Sequence, residues 1–146
     1  MKRLQYHCVY LSGIIFIALF VSCGKKDPQP TQSEAEKATA LLSGAWKLQT
    51  VTVDGTDQTD VYKGLTLGFA GTSYTTINGG IVWPASGSWK FTDDTASTIE
   101  RSDGLKLSLQ QISETGLTLG LSWPTTSLNT GRTSSLKGSH TFVFGK

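Results

Sequence analysis

The sequence has few residues that could carry catalysis, bind a metal or form a cross-link. Of 146 residues, only Cys8 and Cys23 are cysteines and only His7 and His140 are histidines. No cysteine follows residue 23, so a domain built from the later residues folds without a disulfide and depends on its core. Zinc needs three or four Cys, His or carboxylate ligands, and no such cluster occurs. We therefore expect no metal, no other cofactor and no catalytic residues.

Other catalytic signatures are also missing. Glu100 and Glu114 are the only glutamates in the region of alternating residues, and nothing in the sequence marks them as the paired carboxylates of a glycosidase. No glycine-rich phosphate loop joins a strand to a helix. The sequence thus favours a binding or structural protein over an enzyme.

Charge is balanced once the N-terminal residues are set apart. The whole chain has 13 Lys and Arg against 11 Asp and Glu. Lys2 and Arg3 precede an apolar run, and the residues after that run contain equal numbers of basic and acidic side chains. A formally neutral domain has no electrostatic basis for binding nucleic acid.

The apolar run at residues 9–22 is too short to cross a membrane comfortably. As a helix it would span about 21 Å, whereas the hydrocarbon core is about 30 Å thick. A basic start, a short apolar run and a small residue before the break are typical of a secretory signal. We expect residues 1–22 to be a signal peptide, residues 23–32 a flexible tether and residues 33–146 one folded domain.

The residues at the break, Phe20-Val21-Ser22-Cys23, resemble the lipobox of bacterial lipoproteins. Ser22 is small, as that family requires, and Phe20 stands where leucine is usual. The resemblance implies that Cys23 is lipidated and becomes the first residue of a lipid-anchored protein of the cell envelope, in the outer membrane. The alternative is a plain secreted protein with a cysteine near the cleavage site.

A short helix is predicted just after the tether. Ser33 and Glu36 have the spacing of a capping box, and Gly44 stands where a helix should end. The helix would cover Glu34–Leu42 and turn its apolar side chains toward the domain. These side chains are Ala38, Leu41 and Leu42.

The rest of the chain alternates with a period of two and is divided by turn sequences such as Asp54-Gly55 and Ser102-Asp103-Gly104. Eight such segments occur: 45–51, 65–69, 73–77, 87–92, 97–101, 105–110, 117–123 and 140–144. In the first, the alternation places Trp46, Leu48 and Thr50 on one face. Short consecutive strands suggest a sandwich or a barrel. We predict an all-β, eight-stranded antiparallel up-and-down barrel with a short N-terminal helix, a size that either fills itself or holds one small ligand.

Two stretches resemble a known family. Gly44-Ala45-Trp46 matches the Gly-x-Trp signature that opens the first strand of lipocalins after a short helix. The residues 87–91, the Asp93-Asp94 turn and residues 99–104 are similar to the middle of lipocalin-like lipoproteins of Bacteroidetes-type bacteria. The resemblance covers residues 41–146 and implies a lipocalin-like barrel. Lipocalins usually stack an arginine from beyond the last strand on the tryptophan, whereas here Gly145 and Lys146 follow that strand.

The strand phases supply candidate site residues. If Ile99 points inward, Arg101 does too, and it could bind a carboxylate; in the opposite phase it faces water. Trp83 and Trp123 each precede a proline and would form either an aromatic rim or ordinary loop packing. His140 shares a face with two phenylalanines, where a hydrogen-bonded core histidine is the more common outcome. The ligand-binding candidates are Trp89, Phe91, Arg101, Leu119, Trp123, His140 and Phe142, and the structural candidates are Gly44 and Trp46.

These observations lead to two functional hypotheses. In the first, the barrel binds a small apolar or amphipathic ligand at the membrane surface. In the second, its own side chains fill the barrel, which acts as a structural or protein-interaction module of the envelope with an unknown protein partner. The loop at residues 123–137 is long for a hairpin and would be a flap over one end.

Overall fold

The computed structural model describes residues 32–124 and 136–146, which belong to one of two units of the chain, Gln32–Lys146. The predicted signal peptide, the lipidation site Cys23 and most of the predicted tether lie outside the described residues. So does the greater part of the predicted flap, residues 125–135.

The described residues form one α-helix, one 3₁₀ turn at Thr59–Tyr62 and nine strands. The helix, α1, covers Glu34–Leu42. The strands are β1 (Gly44–Val53), β2 (Thr56–Asp57), β3 (Thr66–Ala70), β4 (Ser73–Ile77), β5 (Ser86–Phe91), β6 (Thr98–Arg101), β7 (Lys106–Ile112), β8 (Gly116–Trp123) and β9 (Gly138–Gly145).

Eight of these strands close into a barrel. Every neighbouring pair is antiparallel, and β1 pairs with both β3 and β9, which joins the two edges of the sheet. Among the described strands, closure leaves no open edge apart from that of the two-residue strand β2, which pairs with the end of β1. The predicted all-β, eight-stranded antiparallel barrel with a short N-terminal helix is confirmed. Strand β2 was not predicted, because Asp54-Gly55 marks the turn but two exposed polar residues after it show no alternation.

Helix α1 begins with the predicted capping box. Ser33 Oγ accepts a hydrogen bond of 3.1 Å from Glu36 N, and Glu36 Oε2 accepts one of 2.9 Å from Ser33 N. These bonds satisfy two backbone donors that the first turn leaves free. The helix buries Ala38 and Leu42, whereas Leu41 is only partly covered.

The prediction for the inner face of β1 is wrong at Thr50. Trp46 is buried and Leu48 half-buried, but Thr50 is exposed and Val51 points inward. An extra residue on β1 between Leu48 and Thr50 shifts its register against β9. Such a bulge moves every later side chain to the other face, which the period of two alone does not reveal.

The barrel has two ends of different character. Helix α1, the start of β1 and the end of β9 meet at one end, here called the floor, where Lys146 Nζ donates to Leu41 O. Because successive strands are antiparallel, the β4–β5 and β6–β7 connections lie at the opposite end, here called the mouth, together with the end of β8 and the start of β9. One contiguous cluster of buried apolar side chains fills the space between.

Candidate functional site

The floor is built around Trp46. Its indole Nε1 donates a hydrogen bond of 2.7 Å to Leu42 O, the last residue of α1. Lys146 Nζ lies 4.4 Å from the centre of the indole ring and donates to Leu41 O and Ser43 O at 3.3 and 3.1 Å. Gly44 joins helix to strand with a φ of +118°, a conformation that other residues rarely adopt. Both candidate structural residues therefore lie in the junction between α1 and the barrel.

At the mouth, Arg101 points inward. Ile99 and Arg101 are both buried, and Arg101 retains only 2% of its exposure. Its guanidinium binds the carboxylate of Asp103 through Nε at 3.1 Å and through a short contact from Nη2. These hydrogen bonds hold the pKa of the Asp103 carboxyl below its usual range. Arg101 therefore does bind a carboxylate, as one strand phase predicts, but this carboxylate belongs to Asp103 on the neighbouring turn and not to a ligand.

The β4–β5 connection, residues 78–85, folds into the mouth and is here called the plug. Its side chains Val82 and Trp83 are almost fully buried, with Trp83 only 1% exposed. Arg101 Nη1 donates a hydrogen bond of 2.8 Å to Val82 O. The Trp83 ring meets Tyr74 and Phe142 edge-to-face, with centroids 6.4 and 5.5 Å apart. Val82 and Trp83 of the plug therefore fill space inside the barrel beside the side chains of the strands.

Two indole donors at this end have no acceptor in the described part of the chain. The atoms Trp83 Nε1 and Trp123 Nε1 are buried, and neither has a hydrogen-bond partner within residues 32–124 and 136–146. Trp123 is half-buried at the end of β8, whereas Trp83 lies inside the barrel. Trp83 therefore does not form part of an aromatic rim. It packs against the core, which is closer to the alternative prediction of ordinary loop packing.

His140 and Tyr62 form a buried hydrogen-bonded pair. His140 Nδ1 is 3.1 Å from Gly138 O, and because a carbonyl can only accept, Nδ1 carries the proton. His140 Nε2 then accepts from the Tyr62 hydroxyl at 2.9 Å. Burial lowers the pKa of His140 and raises the pKa of Tyr62 to about 12. Both side chains are therefore neutral at pH 7.

The other candidate residues lie on several strands of the inner wall. Trp89 stands opposite Arg101 on the adjacent strand and contacts Phe91, with ring centroids 5.1 Å apart. Leu119 stands opposite Phe142, which stacks on His140. Sequence reasoning missed the roles of Tyr62, Tyr74 and Asp103 in this region. Only Asp103 had a usable signal, its spacing of two residues from Arg101 across a tight turn.

Other kinds of site are not evident in the described part of the chain. Within residues 32–124 and 136–146, no three His, Cys, Asp or Glu side chains come together as a metal site. No helix in those residues has the length and hydropathy needed to cross a membrane.

Comparisons with known proteins identify no relative of this chain. No family model matches the chain, and no curated protein and no solved structure matches it significantly.

Proposed function

We propose that this chain is a lipid-anchored envelope lipoprotein whose lipocalin-like barrel binds a small apolar or amphipathic molecule at its mouth. The observation that carries the proposal is that two buried indole donors at the mouth, Trp83 Nε1 and Trp123 Nε1, have no acceptor among the described residues. A buried N–H without a partner costs about 1–3 kcal/mol, so a ligand whose binding lets these donors reach an acceptor would be favoured there.

The surroundings of the mouth suit such a ligand. Around Trp83 lie the rings of Tyr74 and Phe142 and the buried guanidinium of Arg101. A largely aromatic wall with few polar groups is typical of small-molecule sites, in which apolar burial supplies affinity and the polar groups fix orientation. The binding step would require no chemistry beyond this.

The proposed location rests on the lipobox-like residues that end at Cys23. A single acyl chain gives only reversible membrane binding, whereas two or more anchor a protein stably. Mass spectrometry of the mature N-terminus should find an acylated Cys23, and Cys23→Ser should move the protein from the membrane to the soluble fraction. An unmodified N-terminus downstream of Cys23 would refute the lipid anchor and leave the barrel proposal standing.

A second function, a filled barrel that serves as a structural or protein-interaction module, is favoured by the packing around Phe142. Four rings surround it, those of Tyr62, Trp83, His140 and Phe144, with centroids 5.2–6.1 Å away. An eight-stranded barrel is just wide enough to be filled in this way. In this case the outer surface, not the mouth, would contact a partner.

One experiment separates the two functions. The full-length protein is purified from its native membranes, the apolar fraction is extracted, and the extract is analysed by mass spectrometry against an empty-membrane control. A stoichiometric non-phospholipid compound that also quenches intrinsic tryptophan fluorescence on titration supports ligand binding. An empty extract together with a defined co-purifying protein supports the filled module instead.

A further inference from the structure

The tip of the plug presents a carbonyl group and an aromatic ring to the same cation. Val82 O accepts from Arg101 Nη1 at 2.8 Å, and the Trp83 ring centre lies 5.2 Å from the central guanidinium carbon. Tyr74 and Phe142 enclose the ring edge-to-face. Seen from Arg101, this tip has the features of a neutral aromatic ketone: a flat ring with a carbonyl oxygen beside it.

We propose that the mouth takes a neutral planar aromatic molecule with a carbonyl-type acceptor next to its ring, and that the plug occupies this site when the ligand is absent. The inference rests on the proposed ligand-binding function and names the chemical class of its ligand. The ligand ring replaces the indole of Trp83 between Tyr74 and Phe142. Its carbonyl oxygen replaces Val82 O on Arg101 Nη1.

The ligand is neutral because Asp103 already neutralises Arg101. The carboxylate of Asp103 binds both Nε and Nη2 of the guanidinium, and this leaves Nη1 facing the plug. A second anion would have to approach the charge of Asp103 within the same small space, which like charges disfavour. A carbonyl oxygen meets the same donor without that repulsion.

Hydrogen bonds as well as ring contacts hold the plug in place. Trp83 N donates to Gly79 O at 3.2 Å within the plug, and Asn78 Nδ2 donates to Gly64 O at 3.2 Å. On β4, Thr76 N donates to Ala85 O at 2.8 Å, and Thr76 Oγ1 donates to Pro84 O at 2.8 Å and to Trp83 O at 3.3 Å. The indole N–H of Trp83 forms no hydrogen bond to any described residue. Gly80, within the plug, has a φ of +61°, a conformation that glycine adopts readily, and a Cβ at this position would meet no other atom within 4 Å. Displacement of the plug tip would break the hydrogen bond from Arg101 to Val82 O and the ring contacts of Trp83, both of which an aromatic ligand with a carbonyl group restores.

The test uses three compounds of one shape: 3-acetylindole, 3-ethylindole and indole-3-carboxylate. Each is titrated by calorimetry into the full-length wild-type protein and its Trp83→Ala variant, which lacks the indole of the plug. We expect the variant to bind 3-acetylindole at least about tenfold more tightly than either other compound, since only this one offers a neutral acceptor to Arg101. The wild type should show the same order with weaker affinities, because its plug must first leave the site.

Two further variants check the role of Arg101. Arg101→Gln in the Trp83→Ala background should remove the preference for 3-acetylindole over 3-ethylindole. Lys106→Gln, at an exposed position on the next strand, should leave it unchanged. Every variant is first shown to unfold cooperatively on heating, with Trp83→Leu and Arg101→Lys used if the first substitutions do not fold.

Equal affinities for 3-acetylindole and 3-ethylindole in the Trp83→Ala variant would overturn the inference, and so would a preference that survives the loss of Arg101. If the native extract still contains a bound compound, the proposed function stands and only the ligand class fails. If the extract is empty and neither protein binds any of the three compounds, both proposals fail together.

Discussion

Lys146 covers the indole of Trp46, with its ammonium 4.4 Å from the ring centre, and in the same position donates to two carbonyl groups at the end of α1. A single residue thus joins the last strand, the first strand and the helix. A compact ammonium can lie over a ring and still donate to two carbonyls, because its three protons are not confined to a plane.

Replacing Lys146 should loosen the floor. Lys146→Met keeps the length of the side chain but loses the cation over Trp46 and both carbonyl bonds, so we expect a loss of about 1 kcal/mol of unfolding free energy. Urea denaturation measures the change. Lys106→Met is the matched control on an exposed strand position, and equal effects of the two substitutions would contradict the role given to Lys146.

The buried histidine makes stability depend on pH near neutrality. Burial lowers the pKa of His140 in the folded state from its ordinary value of 6.5, so below that pH the unfolded chain binds a proton that the folded chain does not. Stability is therefore full above about pH 6.5 and falls as the pH drops, by at most about 1.4 kcal/mol per pH unit.

The check is a series of urea denaturations between pH 8 and pH 5. His140→Gln should flatten this part of the stability profile, since His140 is the only histidine after residue 23. An unchanged pH profile in the Gln variant would show that another group titrates. Tyr62→Phe removes the hydroxyl that donates to His140 Nε2 and should destabilise the protein at pH 8, where His140 is neutral.

The turn between β5 and β6 depends on one carboxylate. Asp93 accepts from the Thr95 hydroxyl at 2.6 Å and from Ser97 N and Thr98 N at 2.9 Å each. These bonds hold the pKa of Asp93 well below its ordinary value. Its stabilising effect is therefore present above the ordinary pKa of 3.8 and is lost as the pH falls below that value.

Asp93→Ala should lower the melting temperature at pH 7 measurably, because three donors lose their acceptor. The neighbouring Asp94→Ala serves as the control, since Asp94 is exposed and forms none of those bonds. Differential scanning calorimetry compares the two variants, and a larger effect at Asp94 would contradict the assignment.

The unpaired indole of Trp83 makes a distinct prediction for two substitutions. Trp83→Phe keeps a ring against Tyr74 and Phe142 and loses no hydrogen bond, so its stability should stay within about 1.5 kcal/mol of the wild type. Trp83→Ala leaves a void and should cost about 3–5 kcal/mol. Chemical denaturation distinguishes them, and a Phe variant as unstable as the Ala variant would contradict the prediction that the ring contacts, and not the N–H, account for the stabilising effect of Trp83.

Much of the fold follows from local alternation. Segments such as 117–123 and 140–144 alternate so regularly that strand and inner face are both determined by the residue pattern. The bulge near Gln49 is different, because it depends on how β1 meets β9 nearly a hundred residues later. Turn sequences fix where a strand ends but not the register against a distant partner.

The candidate site was less accessible from sequence. The alternation allows the side chain of Arg101 to point either into the barrel or toward water, and the sequence does not decide between the two. In the structure it points inward, and its charge pairs with Asp103 on the adjoining turn. The burial of Val82 and Trp83 has no periodic signal at all, because a loop inserts them into the barrel. The burial of such loop residues can be predicted only when the volume that the strand side chains leave empty inside the barrel is known.

The most direct measurement is the mass spectrum of the apolar extract from full-length protein purified from its native membranes. The account predicts a stoichiometric small aromatic compound bearing a carbonyl-type acceptor, which is absent from the empty-membrane control. An extract with no stoichiometric compound, from a protein that binds none of the three indole probes, would contradict ligand binding at the mouth.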